Sequence, residues 1–244
     1  MDARVTVWEE LLCLAEGRGI VLPPGAARLF GAYYELLAEG NRQSNLTRII
    51  APREVLLKHF LDSLALLAFD SAPAGPLLDV GSGAGMPGVP LKLARPELPV
   101  FLLDSSRKRV DFLTSATGLL GLDGLTVLHG RAEDLARQNE YRERFPLVVS
   151  RALARLPVLL ELCLPFVQLG GRFVAYKGPE AQQELSAANR ALAELGAQLE
   201  ESVPYSLPDG YGERLLLIFV KIIATPSRYP RKPGIPEKKP LGSM

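Results

Sequence analysis

Asp79, Gly81, Gly83 and Gly85 occupy alternate positions in the run Leu77-Leu78-Asp79-Val80-Gly81-Ser82-Gly83-Ala84-Gly85-Met86-Pro87-Gly88. Two leucines enter a buried strand, a carboxylate ends it, and a glycine turn follows. Such a turn lets the backbone approach a ligand closely, because glycine lacks Cβ and accepts positive φ. The dinucleotide pattern G-x-G-x-x-G is met only by starting at Gly83, so D-x-G-x-G-x-G describes the segment better. Further along, Phe101-Leu102-Leu103-Asp104 is a second apolar run ending in an acid, followed by Ser105 and Ser106. Asp104 lies where a nucleotide-binding α/β unit places its ribose-binding carboxylate. A third run, Leu125 to His129, leads into Gly130-Arg131-Ala132-Glu133-Asp134. A lone glycine turn with exposed caps is the bland alternative. Three apolar runs that each end in a polar loop make a nucleoside-bearing ligand the stronger reading.

The Asp79–Gly85 segment resembles motif I of the class I S-adenosylmethionine (SAM) methyltransferases. The resemblance implies that Asp79 holds the methionine end, that the glycines admit the ribose and sulfonium region, and that an acid after the third strand sits near the adenine. Methyl transfer is an in-line displacement that needs donor and acceptor aligned and water excluded. A base is required only if the acceptor must lose a proton. In this class the loop after the fourth strand faces the methyl group, and here it reads Ser150-Arg151-Ala152-Leu153. It lacks the Asn/Asp-Pro-Pro-aromatic sequence that holds an exocyclic amine. A cysteine nucleophile of the pyrimidine-C5 type is also disfavoured, since Cys163 reads as core within Leu162-Cys163-Leu164. An acceptor with its own lone pair, such as a ring nitrogen, fits best.

These residues need a framework to hold them. From Leu77 onward apolar runs alternate with helical patterns, which implies a parallel sheet. Residues 145–150 and 171–177 read as the fourth and fifth strands, and residues 180–195 as a helix. Residues 198–205 and 214–223 follow as strands with no helix between them, hence antiparallel. The fold class is therefore α/β: a Rossmann-like, class I SAM-methyltransferase fold with a seven-stranded, mostly parallel sheet whose last strand is antiparallel. Ahead of it, Val7, Leu11, Leu12, Leu14 and Ala15 repeat at helical spacing. Pro23-Pro24 start a second helix, Gly40-Asn41 end it, and residues 54–69 form a third. The expected organisation is an N-terminal helical appendage (1–70), a SAM-binding domain (71–226) entered through a turn-rich linker at 71–76, and a basic tail (227–244).

Composition narrows the class further. The chain has 244 residues, 48% of them hydrophobic, and a net charge of +1, so overall charge gives no hold on nucleic acid. No apolar run is long enough to span a bilayer, and Met1-Asp2-Ala3-Arg4 has no signal-peptide pattern. Cys13 and Cys163 read as buried thiols of a reducing cytoplasm. His59 and His129 are too few to build a typical zinc site, so no metal is expected. Charge is nonetheless uneven: Arg228, Arg231, Lys232, Lys238 and Lys239 crowd residues 227–239 against one acid, Glu237. Arginine grips phosphate bidentately. A solvated tail without function is the alternative.

Over nearly its whole length the sequence is similar to the RsmG (GidB) family of bacterial 16S ribosomal RNA guanine-N7 methyltransferases. The similarity runs through Asn45-Leu46-Thr47, His59-Phe60-Leu61-Asp62-Ser63-Leu64, the Asp79–Gly88 run, Leu103-Asp104-Ser105 before Lys108-Arg109, Ser150-Arg151-Ala152, Lys177-Gly178 and Tyr229-Pro230-Arg231-Lys232-Pro233-Gly234. Gln138 to Arg144 departs from the family and reads as a surface insertion. The resemblance implies that Gly81 and Met86 line the SAM pocket, and that Asp104, Ser105 and Ser106 meet the ribose. It places Ala132 and Glu133 at the adenine, and Arg151 beside the methionine end or the methyl-transfer face, as a positioning group with no general base. RNA contacts fall to His59, Lys177, Arg228, Arg231 and Lys232, although His59 is more readily read as a structural histidine and Lys177 equally as a solvated strand end. The implied partner is 16S rRNA or the small ribosomal subunit, met by a cytoplasmic monomer without membrane contact. Two other classes compete: an NAD-dependent oxidoreductase, opposed by Asp79 and the antiparallel last strand, and a non-catalytic RNA-binding assembly factor of the same fold.

Overall fold

The computed structural model describes residues 3–69 and 75–242, with side chains from residue 7 onward. The expected 70/71 boundary and most of the linker lie outside these residues. Two helices lead, α1 (Ala3–Glu16) and α2 (Ala26–Ser44). A broken helical stretch follows: α3 (Pro52–Val55), a π-helical turn (Leu56–Leu61), α4 (Asp62–Leu64) and α5 (Leu66–Phe69). The α/β unit then runs β1 (Leu77–Val80), α6 (Gly88–Ala94), β2 (Val100–Asp104), α7 (Arg107–Leu119), β3 (Leu125–His129), α8 (Ala132–Leu135), β4 (Phe145–Arg151), α9 (Leu156–Cys163), β5 (Val167–Lys177), α10 (Ala181–Leu195), β6 (Ala197–Ser206) and β7 (Glu213–Lys221). A short helix, α11 (Ile235–Lys238), follows.

The seven strands form one sheet in the order β3-β2-β1-β4-β5-β7-β6. Strands β1 to β5 pair in parallel, and β7 runs antiparallel to both β5 and β6. Chain order reverses between β1 and β4, and their carboxyl ends form the crevice where open α/β sheets bind ligands. Side chains along each strand alternate between two apolar cores. Leu77, Leu102 and Val149 join Trp8, Phe30, Tyr33 and Phe60 of the leading helices on one face. Leu78, Leu103 and Val148 join Leu159, Leu192 and Tyr229 on the other.

Several local expectations change. Helix α2 passes through Gly40 and ends at Ser44, with Asn45 left-handed at φ 48°. A Cβ on Gly40 would stand 2.6 Å from the Phe112 ring, so this glycine admits α7 instead of stopping the helix. Cys13 is exposed, whereas Cys163 is buried. Leu11 and Ala15 set the buried stripe of α1, and a residue midway between them points outward. The Gln138–Arg144 stretch is a clasp: Arg142 donates to the carbonyls of Tyr229 and Thr225, at 2.9 and 2.6 Å. Glu143 meets the fully buried Lys221 ammonium at 3.0 Å.

Candidate active site

The site begins with Asp104. One carboxylate oxygen accepts the Gly83 N–H at 2.9 Å, and the other accepts the Ser106 N–H at 2.8 Å. The carboxylate thereby ties the loop after β1 to the loop after β2. Gly81 and Gly83 both have positive φ, 75° and 59°, which is what folds the β1 loop back over the strand ends. Beside them opens a cavity of about 440 Å³, within the range of small-molecule sites. One wall carries Gly81, Asp104, Ser105, Ala132 and Glu133. Leu153, Ala154 and Arg155 of the β4–α9 loop form the second, and Gly234, Pro236, Glu237 and Pro240 the third.

Five of the expected ligand contacts therefore line one cavity. The others stand back from it. Asp79 shares the strand face of Leu77 and is wholly buried. Its Oδ2 accepts the Gly88 N–H at 2.9 Å, and among the described residues its Oδ1 is the buried side-chain oxygen with no partner. Burial pushes this carboxyl up to about 7, against the opposing pull of the Gly88 N–H and the Arg151 charge. Met86 is a correction: it belongs to the apolar core, its sulfur 4.0 Å from the Ser63 hydroxyl. Gly85 is absent from the cavity wall too. A Cβ there would collide with the Tyr33 hydroxyl and lie 2.7 Å from Val89. Its lack of a side chain lets α2 dock, with Tyr33 donating to the Ala84 carbonyl. Gly83 and Ser106 act through their amides on Asp104.

Arg151 ends β4 and faces a second cleft, of about 500 Å³, shared with His59, Asp62, Tyr176, Lys177 and Tyr205. Its guanidinium donates to Asp62 Oδ2 at 2.8 Å and to the Lys58 carbonyl at 2.9 Å, and lies 3.2 Å from His59 Nδ1. Asp62 Oδ1 accepts the Tyr205 hydroxyl at 2.8 Å. His59 Nε2 lies 3.0 Å from Thr47 Oγ1. His59 Nδ1 stands 3.2 Å from the Lys58 carbonyl as well as from the Arg151 guanidinium. Burial first, and Arg151 second, push the His59 pKa down to about 3. The histidine is thus neutral and oriented, a fastener between the helical stretch and β4. Lys177 reaches Glu184 at 3.2 Å and the Ala154 carbonyl at 3.2 Å. Consecutive residues of one loop serve both cavities: Arg151 and Ala152 line the second, Leu153 to Arg155 the first.

The model of the GidB family, rRNA small subunit methyltransferase G, matches residues 26–208. The chain belongs to this family. A ribosomal RNA small subunit methyltransferase G of Lachnoclostridium phytofermentans is 49% identical over 213 residues, 87% of this chain and 88% of that one. Its counterpart from Moorella thermoacetica is 47% identical over 232 residues, 95% and 97% of the two chains. Among solved structures, a protein of Pyrococcus horikoshii titled a putative transferase is similar with a TM-score of 0.52 at 12% identity, over 65% of this chain and 62% of that one. That likeness shows the fold alone.

In this GidB-family chain the third wall of the first cavity was missed by sequence reasoning, which expected a basic tail. Arg231 turns inward, forming a bidentate pair with the fully buried Glu161 at 2.6–3.1 Å. The RNA-contact expectation for Arg231 is therefore corrected: its guanidinium is committed to a buried carboxylate. Arg228 and Lys232 remain exposed, with Arg228 3.9 Å from Glu194. The usable signal was Glu161, an acid inside the apolar stretch Leu156–Leu164 that had to find a cation. Tyr176 and Tyr205 were also missed, because single aromatics within strands look like core. Among the described residues no group of His, Cys, Asp and Glu is placed to hold a metal, and no helix is long and apolar enough to cross a membrane.

Proposed function

We propose that the chain transfers a methyl group from SAM to N7 of a guanosine in 16S rRNA, as a monomer in the cytoplasm. The observation that carries this reading is that one run, residues 151–155, lines two cavities in turn. One suits a nucleoside-bearing donor, and the other suits a planar acceptor. The donor side fits SAM on its own residues. Asp104 presents a buried carboxylate to which two ribose hydroxyls can donate, and Ala132 and Glu133 line the same cavity on the side given to an adenine. When bound, SAM supplies an electrophilic methyl carbon. The protein's part is to bind, align and exclude water. Leu153 does the last, standing against Gly81 so closely that a Cβ there would be 2.7 Å from it.

The acceptor side supports a ring nitrogen. Burial and Arg151 hold its histidine pKa low, so the ring is neutral, and its buried carboxylate Asp62 is bonded to Arg151 and Tyr205. Guanine N7 needs neither, because its lone pair is already exposed. In this reading residues 1–70 hold the acceptor against the SAM-binding domain of residues 71–226, with Arg151 as the positioning group, and Lys177, Arg228 and Lys232 reach RNA phosphates. The test is label transfer from SAM to small subunits and to naked 16S rRNA, followed by mass spectrometry of the digested nucleosides. Label in 7-methylguanosine is expected. Label in another nucleoside, or in none, would overturn the assignment.

A further inference from the structure

We propose that the segment from Arg228 to Pro240 is a built part of the donor site and forms its adenine-side wall; this rests on the SAM reading above. Gly234, Pro236, Glu237 and Pro240 line the cavity that also holds Asp104 and Glu133. The Gly234 N–H donates to Glu133 Oε1 at 3.2 Å, so the segment touches the carboxylate that marks the adenine end. Pro236 and Pro240 offer apolar faces to a ring, and their fixed φ lowers the entropy lost on ordering.

The wall is anchored independently of any ligand. Arg231 closes on the buried Glu161 of α9, and Tyr229 is buried in the sheet's second core. Arg137 reaches the Pro230 carbonyl at 2.5 Å. Separating Arg231 from Glu161 would leave a charge buried without a partner, which is strongly unfavourable. The segment is therefore held in place before the donor arrives. It lies beyond residues 26–208, the span matched by the family model, and was expected from composition to serve RNA.

Two measurements on the full chain test the wall with S-adenosylhomocysteine as probe. In hydrogen–deuterium exchange, saturating probe should slow residues 229–242 by about tenfold, while NAD at the same concentration should not. In calorimetry, the Pro236→Gly, Pro240→Gly double variant should bind the probe at least tenfold more weakly than the unaltered chain. Probe binding with unchanged exchange in 229–242, or equal affinity in the double variant, would overturn the wall and leave the SAM reading standing. Failure of the unaltered chain to bind the probe would overturn both. The exchange measurement uses the unaltered chain, so it decides even where the double variant does not fold.

Discussion

Asp104 binds twice over, to the protein's own loops and, as proposed, to the donor. Its carboxylate accepts two backbone N–H groups. Asp104→Ala strands both donors, at about 1–3 kcal/mol of stability, and should lower SAM affinity at least tenfold by calorimetry. Asp104→Asn retains one acceptor and should spare part of the stability while still weakening binding. Asp79 and His59 pull stability in opposite directions with pH. The Asp79 carboxyl is raised from 3.8 to about 7, so the native state holds a proton that the unfolded chain has lost. Its contribution is present below 3.8 and lost as pH rises toward 7. His59 is lowered from 6.5 to about 3. Its contribution is present above 6.5 and lost as pH falls toward 3. Denaturant titrations of ligand-free protein should show Asp79→Asn gaining a few kcal/mol at pH 8 relative to pH 4, about 4 at most at 1.36 kcal/mol per unit. A gain of equal size at both pH values would show that Asp79 is ionised throughout.

At the scale of elements, the π-helical turn Leu56–Leu61 and α4 deliver His59 and Asp62 to the end of β4. A regular helix of the same length would rotate these side chains away from Arg151, because one extra residue per turn shifts every later position. The Asp62–Arg151 pair is nearly buried, with side chains 6% and 13% exposed. Asp62→Ala leaves the guanidinium unpaired and should cost about 3–5 kcal/mol by thermal or chemical denaturation. Asp62→Asn keeps the shape and should slow single-turnover methyl transfer more than it changes SAM affinity, because Asp62 lines the acceptor cleft and not the donor cavity. A variant that loses SAM affinity and rate equally would place Asp62 in the donor site instead. The segment around Arg231 follows the same logic: an acid buried in α9 recruits it, so residues rich in charge form a wall where a loose tail was expected.

At the scale of the whole molecule, two cavities share one loop, and the rate should depend on alignment across it. With enzyme saturated in SAM, single-turnover transfer should stay nearly flat from neutral to mildly alkaline pH. An essential base would impose a tenfold change per unit below its pKa. A steep acid limb near the ordinary histidine pKa, abolished in His59→Ala, would show His59 titrating there as a base and would refute its depressed pKa and, with it, the ring-nitrogen acceptor.

What the chain's linear order determined is the sheet and one edge of the site. The alternation of apolar runs with helical patterns, and the missing helix between the last two strands, specify the parallel sheet with its antiparallel β7, because these patterns are local and periodic. The acids and glycines of the β1, β2 and β3 loops were legible for the same reason: a parallel sheet brings successive strand ends to one edge. The tertiary structure decided which glycines face a ligand and which face another helix. Gly83 and Gly85 look alike in sequence, yet Tyr33, some fifty residues away, claims the space beside Gly85. It also decided that Met86 is core, that His59 is held neutral by burial and that Arg231 pairs with the buried Glu161. Each depends on desolvation and on partners far apart in the chain. Burial and long-range pairing are properties of packing, and no spacing along the sequence encodes them.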